Sequence, residues 1–262
     1  MAIKEEEKFV ASNILEGMTS ISAVLNAMGS DYNDRRIQTV WVDRERTEKL
    51  SRELRFLRGK AKELHFTLQT VSSEDISAHV IGNTHGGVIA FCTERTIPTL
   101  TADCLEANGF YVYLEGIEDP YNFGYTLRSL YAAGVNGVIL SPRNWMSAGG
   151  VVARSSAGAS ELLPLYLASP EELTRIFHDA NYCIYAAGIR DSVSIYEAKL
   201  NRPLLLIVGG EKRGISRALL DHADQIVRID YGRDFRGSLS AASAATVMAF
   251  EVMRQNSFSD DC

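Results

Sequence analysis

The sequence predicts an α/β protein: a mostly parallel sheet in the C-terminal part, preceded by a small mixed α/β domain. Three observations lead there. From Gly109 onward, short apolar strands alternate with helices, and that alternation produces a parallel sheet covered on both faces. Several of these strands run straight into Gly-rich or Ser-rich loops that open helices, which is how such a sheet presents backbone amides to a ligand. Finally, the chain before about Thr101 has its own strand and helix pattern and ends in a polar stretch with Pro98, Glu94 to Asp103, that reads as a linker. The domains are accordingly expected at 1–103 and 104–262.

The N-terminal elements follow from periodicity. Ser20 to Ala27 opens as a helix and Ile37 to Val42 alternates as a strand. Glu45 to Leu64 is a long helix, because Leu50, Leu54, Leu57, Ala61 and Leu64 fall on one face at i, i+4, i+7 spacing. Phe66 to Val71 and Val88 to Cys92 are further strands, the second preceded by a turn at Gly82, Gly86 and Gly87. The C-terminal order is strand Phe110 to Ile117, helix Gly124 to Ala133, strand Gly137 to Leu140, helix Glu171 to Ala180 and strand Tyr182 to Tyr185. Helix Val193 to Lys199, strand Pro203 to Val208, helix Ile215 to His222, strand Gln225 to Ile229 and helix Ser238 to Gln255 complete it.

Composition narrows the function classes. With 262 residues and 46% hydrophobic content, the chain buries a full core. Four scattered cysteines form no CxxC pair and no Cys/His cluster, which fits a reduced cytoplasm and no structural metal. No apolar run reaches the length of a membrane span, and the N-terminus lacks the plan of a signal peptide. A net charge of −6 argues against nonspecific coating of nucleic acid, but bases outnumber acids between Arg35 and Lys62. On the helix there, Arg52, Arg55 and Lys62 point away from the apolar face; that surface is either an RNA contact or a solvated helix face.

Three segments carry chemistry. In the first, Asn122 and Gly124 form a turn after a strand, and Arg128 sits one turn into the following helix. A permanently charged, bidentate guanidinium there suits a phosphate or an oxygen developing negative charge, although Asn and Arg at a helix start also serve as cap and surface charge. In the second, Gly209, Gly210 and Gly214 follow the most apolar strand, with Glu211 in the turn. Glycines allow a ligand close to the backbone, or simply make a tight turn. A dinucleotide site fails on spacing, because the pattern is GGxxxG in the fourth strand-helix unit and Glu211 would repel a pyrophosphate. In the third, Ser238 begins a helix whose first turns are almost all small residues, which permits close backbone approach.

The content and order of these segments resemble the SpoU or TrmH group of the SPOUT RNA methyltransferases. Asn122, Gly124 and Arg128 match the family's N-x-G-x-x-x-R; Gly209, Glu211 and Gly214 match G-x-E-x-x-G; Ser238 and Leu239 match part of S-L-N. The phrase from Arg154 to Leu165 is similar to the family's link after its second strand, and the N-terminal part resembles the ribosomal-protein-L30e-like RNA-binding domain. The resemblance implies a C-terminal domain tied in a deep trefoil knot, an exception to the rule against threaded chains. It also implies a homodimer and S-adenosylmethionine (SAM) held near Ala186, Gly188, Val208, Gly209, Gly210, Gly214, Ile229, Ser238 and Leu239.

The implied reaction is methyl transfer from SAM to a ribose 2′-hydroxyl of ribosomal or transfer RNA. Arg128 would stabilise the alkoxide or clamp a phosphate, Asn122 would orient the ribose or Arg128, Glu211 would fix those donors, and Ser238 would lie near cofactor and acceptor. Two departures stand out. Ser240 replaces the family's Asn, and the Ile-Pro-Met-x-Gly loop is replaced by Ile229 to Gly237; either Arg233 and Arg236 compensate by holding RNA phosphate or the site takes a different RNA. Two other function classes compete: a noncatalytic RNA-binding protein that kept the knot and dimer, and a nucleotide-dependent oxidoreductase, disfavoured by the glycine spacing.

Overall fold

The computed structural model describes residues 13–80, 84–142, 145, 148–210 and 213–257. In chain order the elements are β1 Ile14–Glu16, α1 Gly17–Ala27, β2 Ile37–Asp43, α2 Ser51–Leu64, β3 Thr67–Val71, α3 Ser73–Ser77 and β4 Val88–Cys92. Then come β5 Phe110–Glu115, α4 Pro120–Ala132, β6 Gly137–Leu140, α5 Gly149–Ser155, α6 Ala159–Leu162, β7 Leu165–Leu167, α7 Pro170–Asp179 and β8 Cys183–Ala187. β9 Val193–Ser194, β10 Leu204–Gly209, α8 Arg217–Leu220, β11 Gln225–Arg228 and α9 Ala241–Ser257 follow.

The chain forms two compact units, Met1–Thr96 with Asn144–Leu162, and Ile97–Arg143 with Leu163–Cys262. This differs from the single cut expected after residue 103, for two physical reasons. The expected linker is paired into the second unit, where Leu100 N–H donates to the Leu167 carbonyl at 2.8 Å and Leu167 N–H to the Pro98 carbonyl at 2.8 Å. Helices α5 and α6 belong to the first unit because their charged groups are paired there: Arg154 with Glu16 at 2.9 Å and Glu161 with Arg35 at 3.1 Å.

In the first unit the sheet order is β1-β4-β2-β3, with β2 and β3 parallel and the other pairs antiparallel. Its core joins Leu15, Ile21, Val24, Val40, Leu57 and Ala90 with Ala153 of α5. The apolar face predicted for the basic helix packs as expected, with Leu54 and Leu57 buried. The helix starts later than expected, because Asp43 accepts from Glu45 N–H and holds Arg44–Arg46 in a separate 3-10 turn. Gly86 and Gly87 both have positive φ, as a turn before β4 requires; Gly82 lies outside the described residues.

The second unit is a parallel seven-stranded sheet in the order β7-β6-β5-β10-β8-β11-β9. β10 is its centre, with Leu204 to Val208 all buried, as a near-continuous apolar run requires. The helix expected over Val193 to Lys199 is instead the edge strand β9 followed by turns. Ile195 N–H donates to the Arg228 carbonyl, and β-branched Val193 and Ile195 favour the pleated edge over a helix. The helix expected from Ile215 to His222 shortens to α8, and that expected from Ser238 begins at Ala241.

Candidate active site

Two parallel neighbours, β5 and β10, end side by side, so their exit loops meet at the carboxyl edge of the sheet. The meeting is backbone on backbone. A Cβ added to Gly210 would lie 2.2 Å from the Gly116 carbonyl oxygen, and one added to Gly209 would lie 2.4 Å from the Gly214 carbonyl carbon. Gly214 N–H donates to the Gly210 carbonyl at 3.0 Å, which draws the two glycines together, and Gly214 itself has φ +65°. The glycines are therefore needed for packing as well as for any ligand. Glu211 lies outside the described residues. Beyond this turn, Glu115 at the end of β5 accepts from Ser216 N–H at 2.8 Å and anchors its exit.

Above the turn lies a cavity of about 560 Å³. Its walls include Gly188, Val208, Gly209, Gly210, Gly214, Ile229, Ser238 and Leu239, so the structure brings together every cofactor residue expected from sequence except Ala186. Ala186 is fully buried within β8, and its neighbour Ala187 lines the cavity in its place. Met248 and Ala244 of α9 close another wall. The volume, the apolar walls and the glycine-bared backbone suit a nucleoside-sized ligand. Among the described residues no group of His, Cys, Asp and Glu could hold a metal ion.

A second cavity, of about 390 Å³, is lined by Gly116 to Pro120, Asn122 and Ala241, and Ala241 lines both. Asp119 caps α4 by accepting from Asn122 N–H at 2.8 Å, which fixes Asn122 at the mouth of this cavity. Because α4 begins at Pro120, Arg128 is more than two turns into the helix, not one. It is exposed and lines neither cavity. Asn122 and Arg128 thus share a helix but not a cavity.

The departures from the family motif have structural outcomes. Ser240 serves as the cap of α9, its hydroxyl accepting from Ser243 N–H at 3.1 Å and bonding the Ser243 hydroxyl at 3.0 Å. Asp230 bonds Arg228 Nε at 2.8 Å, and hydrogen bonding from Ser194, then the Arg228 charge, holds its carboxyl below the usual carboxylate range. Arg236 lines the large cavity, whereas Arg233 is exposed outside it. Sequence reasoning did not single out Tyr231, Phe235 and Ile189 as lining residues. The aromatics were visible as unusual apolar residues in a polar loop, but only the folded loop turns them to the cavity. In the first unit, Arg52, Arg55 and Lys62 are exposed on α2, as expected; Arg35, counted with the basic stretch, is buried against Glu161.

A strand exit sealed by glycines over a nucleoside-sized cavity, on a parallel sheet, defines an α/β enzyme of the SPOUT methyltransferase type. A crystal structure of an RNA 2'-O ribose methyltransferase superposes with a TM-score of 0.74 at 23% identity, over 94% of this chain and 89% of that one. An AdoMet-bound rRNA methyltransferase from Sinorhizobium meliloti gives 0.75 at 22%, over 93% and 87%. The chain belongs to the SpoU rRNA Methylase family, whose model matches residues 109–250. Similar full-length relatives include the 23S rRNA (guanosine-2'-O-)-methyltransferase RlmB of Yersinia pestis, 26% identical over 93% of this chain and 98% of that protein. RlmB of Haemophilus influenzae is 27% identical over 93% and 98%.

Proposed function

We propose that this protein transfers a methyl group from SAM to a ribose 2′-hydroxyl of ribosomal RNA, acting as a cytoplasmic homodimer. The observation that carries the reading is the large cavity that gathers the expected cofactor residues around the Gly209 to Gly214 turn. SAM supplies an electrophilic methyl on a sulfonium sulfur. Val208, Ile229, Leu239 and Met248 give apolar walls for its adenine, while the glycines let backbone amides approach. Ser238 offers a hydroxyl on the same wall.

A ribose hydroxyl is a weak nucleophile, so alignment and stabilisation of the emerging alkoxide carry the catalysis. Arg128 is assigned to that stabilisation and not to proton abstraction, because a neutral guanidinium is too costly. Asn122, fixed at the head of α4, orients the acceptor, and Glu211 holds these donors. The exposed position of Arg128 supports a site completed by a second protomer. Tyr121 and Tyr125 of α4 and Phe250 of α9 are 44%, 51% and 38% exposed on the two packed helices and supply an apolar face for such a dimer. The trefoil knot is inferred from membership of the family, and the late strand β10 seated between β5 and β8 is compatible with it. The L30e-like first unit contributes Arg52, Arg55 and Lys62 to RNA binding, and Arg233 and Arg236 hold phosphate near the site.

The test is transfer of labelled methyl from SAM to ribosomal RNA from a strain lacking the gene, with Arg128→Ala in parallel. The expected outcome is labelled RNA with the native chain and a loss on the order of 10²- to 10³-fold in the variant, at unchanged SAM affinity. Absence of SAM binding would remove the proposal. SAM binding and RNA binding without transfer would identify a noncatalytic RNA-binding member of the family, a reading that the engagement of Ser240 in capping α9 favours.

A further inference from the structure

The loop that replaces the family's Ile-Pro-Met-x-Gly sequence carries two exposed aromatic rings beside the large cavity. Phe235 is 57% exposed and Tyr231 38%. Exposed Ile189 and Leu239 line the same cavity, so the rings belong to a shared apolar rim, the kind of exposed patch that marks a binding site. They are also held in position. Their centroids are 5.7 Å apart with the planes tilted by 58°. The Tyr231 hydroxyl oxygen accepts from Leu239 N–H at 3.2 Å, tying that ring to the start of the S-L segment. Phe235 folds back over Gly237, where a Cβ would lie 2.5 Å from the ring's Cζ. The missing side chain at Gly237 is what lets the ring lie there.

We propose that Tyr231 and Phe235 form a stacking platform for an unpaired nucleobase of the RNA substrate, next to the ribose that is methylated. The inference rests on the proposed methyltransferase reading and specifies how that site takes its acceptor. Base stacking on aromatic rings is the general way proteins hold unpaired bases, and it needs an exposed π-face with cations nearby for the phosphates. The loop supplies both: Arg236 lines the cavity beside Phe235, and Arg233 is exposed on the same loop. The alternative occupant is the adenine of SAM. Buried Val208 and Met248 provide apolar contact for it inside the cavity, whereas Tyr231 and Phe235 line the same cavity at its exposed rim.

The full-length protein carrying Phe235→Ala, Phe235→Trp or Gly237→Ala would be compared with the native chain. SAM affinity would be measured by calorimetry, KM for ribosomal RNA by methyl transfer, and binding to poly(A) and to double-stranded poly(I)·poly(C) by titration. Phe235→Ala is expected to raise the RNA KM and the poly(A) Kd roughly tenfold, with SAM affinity and poly(I)·poly(C) binding within about twofold. Phe235→Trp should restore the loss. Gly237→Ala, which displaces the ring without removing it, should reproduce much of it. A fall in SAM affinity with no change toward RNA would overturn the platform and make the rings a cofactor cover. Equal losses on poly(A) and poly(I)·poly(C), or no rescue by Trp, would also overturn it. If the native chain transfers no methyl, the parent reading fails by itself, and the poly(A) comparison still decides the platform.

Discussion

Glu161 is the most consequential buried charge in the first unit, and Glu161→Gln is a direct probe of it. Its carboxylate is fully buried and lies 3.1 Å from Nε of Arg35, itself only 1% exposed. Asn33 Nδ2 donates to the same carboxylate at 3.1 Å and to the Glu161 carbonyl at 2.8 Å. Arg95 is buried as well; burial pulls the pKa of its guanidinium downward, and the Glu161 charge chiefly opposes that. Glu161 thus pairs with Arg35 and shares the compensation of Arg95 with Asp34. Gln keeps the shape and an acceptor but removes the charge, and leaving buried charge uncompensated costs about 3–5 kcal/mol. For a domain of roughly 100 residues that is a fall on the order of 15–25 °C in Tm. The assay is favourable because both tryptophans, Trp41 and Trp145, lie in this unit, so their fluorescence reports its unfolding. Arg35→Met and the double variant complete a cycle whose coupling should exceed about 1 kcal/mol. A loss under about 1 kcal/mol for Glu161→Gln would refute the assignment of this network as the clamp on α5 and α6.

Further outcomes follow from the same geometry. Gly210→Ala drives a Cβ to 2.2 Å from the Gly116 carbonyl oxygen, a backbone atom that cannot swing away. Titration should show SAM affinity falling on the order of tenfold, with overpacking destabilising the fold by about 1–3 kcal/mol. Reversing the charges of Arg52, Arg55 and Lys62 together should weaken RNA binding and flatten its salt dependence by about one unit of slope per lost phosphate contact; an unchanged slope would make this a solvated helix face. Burial pushes the Cys92 thiol up to about 12, so it stays protonated and inert near neutral pH. Mass spectrometry after alkylation of the folded protein should find exposed Cys183 modified and Cys92 untouched until the chain unfolds.

The sequence was most legible where one pattern had one physical meaning. Leu204 to Val208 reads as a central parallel strand because no exposed face is left for it, and so it packs. The glycines after it read as a close-approach turn, and their absent side chains are where the two strand exits touch. Legibility failed where long-range pairing decided the outcome. Val193 to Lys199 has apolar spacing suited to a helix, yet the free edge of β11 draws Val193–Ser194 into a strand. The segment from Arg154 to Glu161 reads as a connection within the second domain. Its place with the first unit depends on Glu16, Asn33 and Arg35, partners more than a hundred residues distant that no local pattern announces. Arg35 shows the same limit, since a base in a basic stretch gives no sign of being buried. In the site, the family resemblance picked out residues that line one cavity but could not tell that Asn122 and Arg128 would part company along α4.

The central claim, methylation of a ribose oxygen, is tested most directly by the chemistry of the modified nucleotide. RNA labelled by the native protein with methyl-labelled SAM would be hydrolysed in alkali, which requires a free 2′-hydroxyl to break the following phosphodiester. The label is expected in alkali-resistant dinucleotides, lowered on the order of 10²- to 10³-fold by Arg128→Ala. Label recovered in mononucleotides methylated on the base would contradict the account.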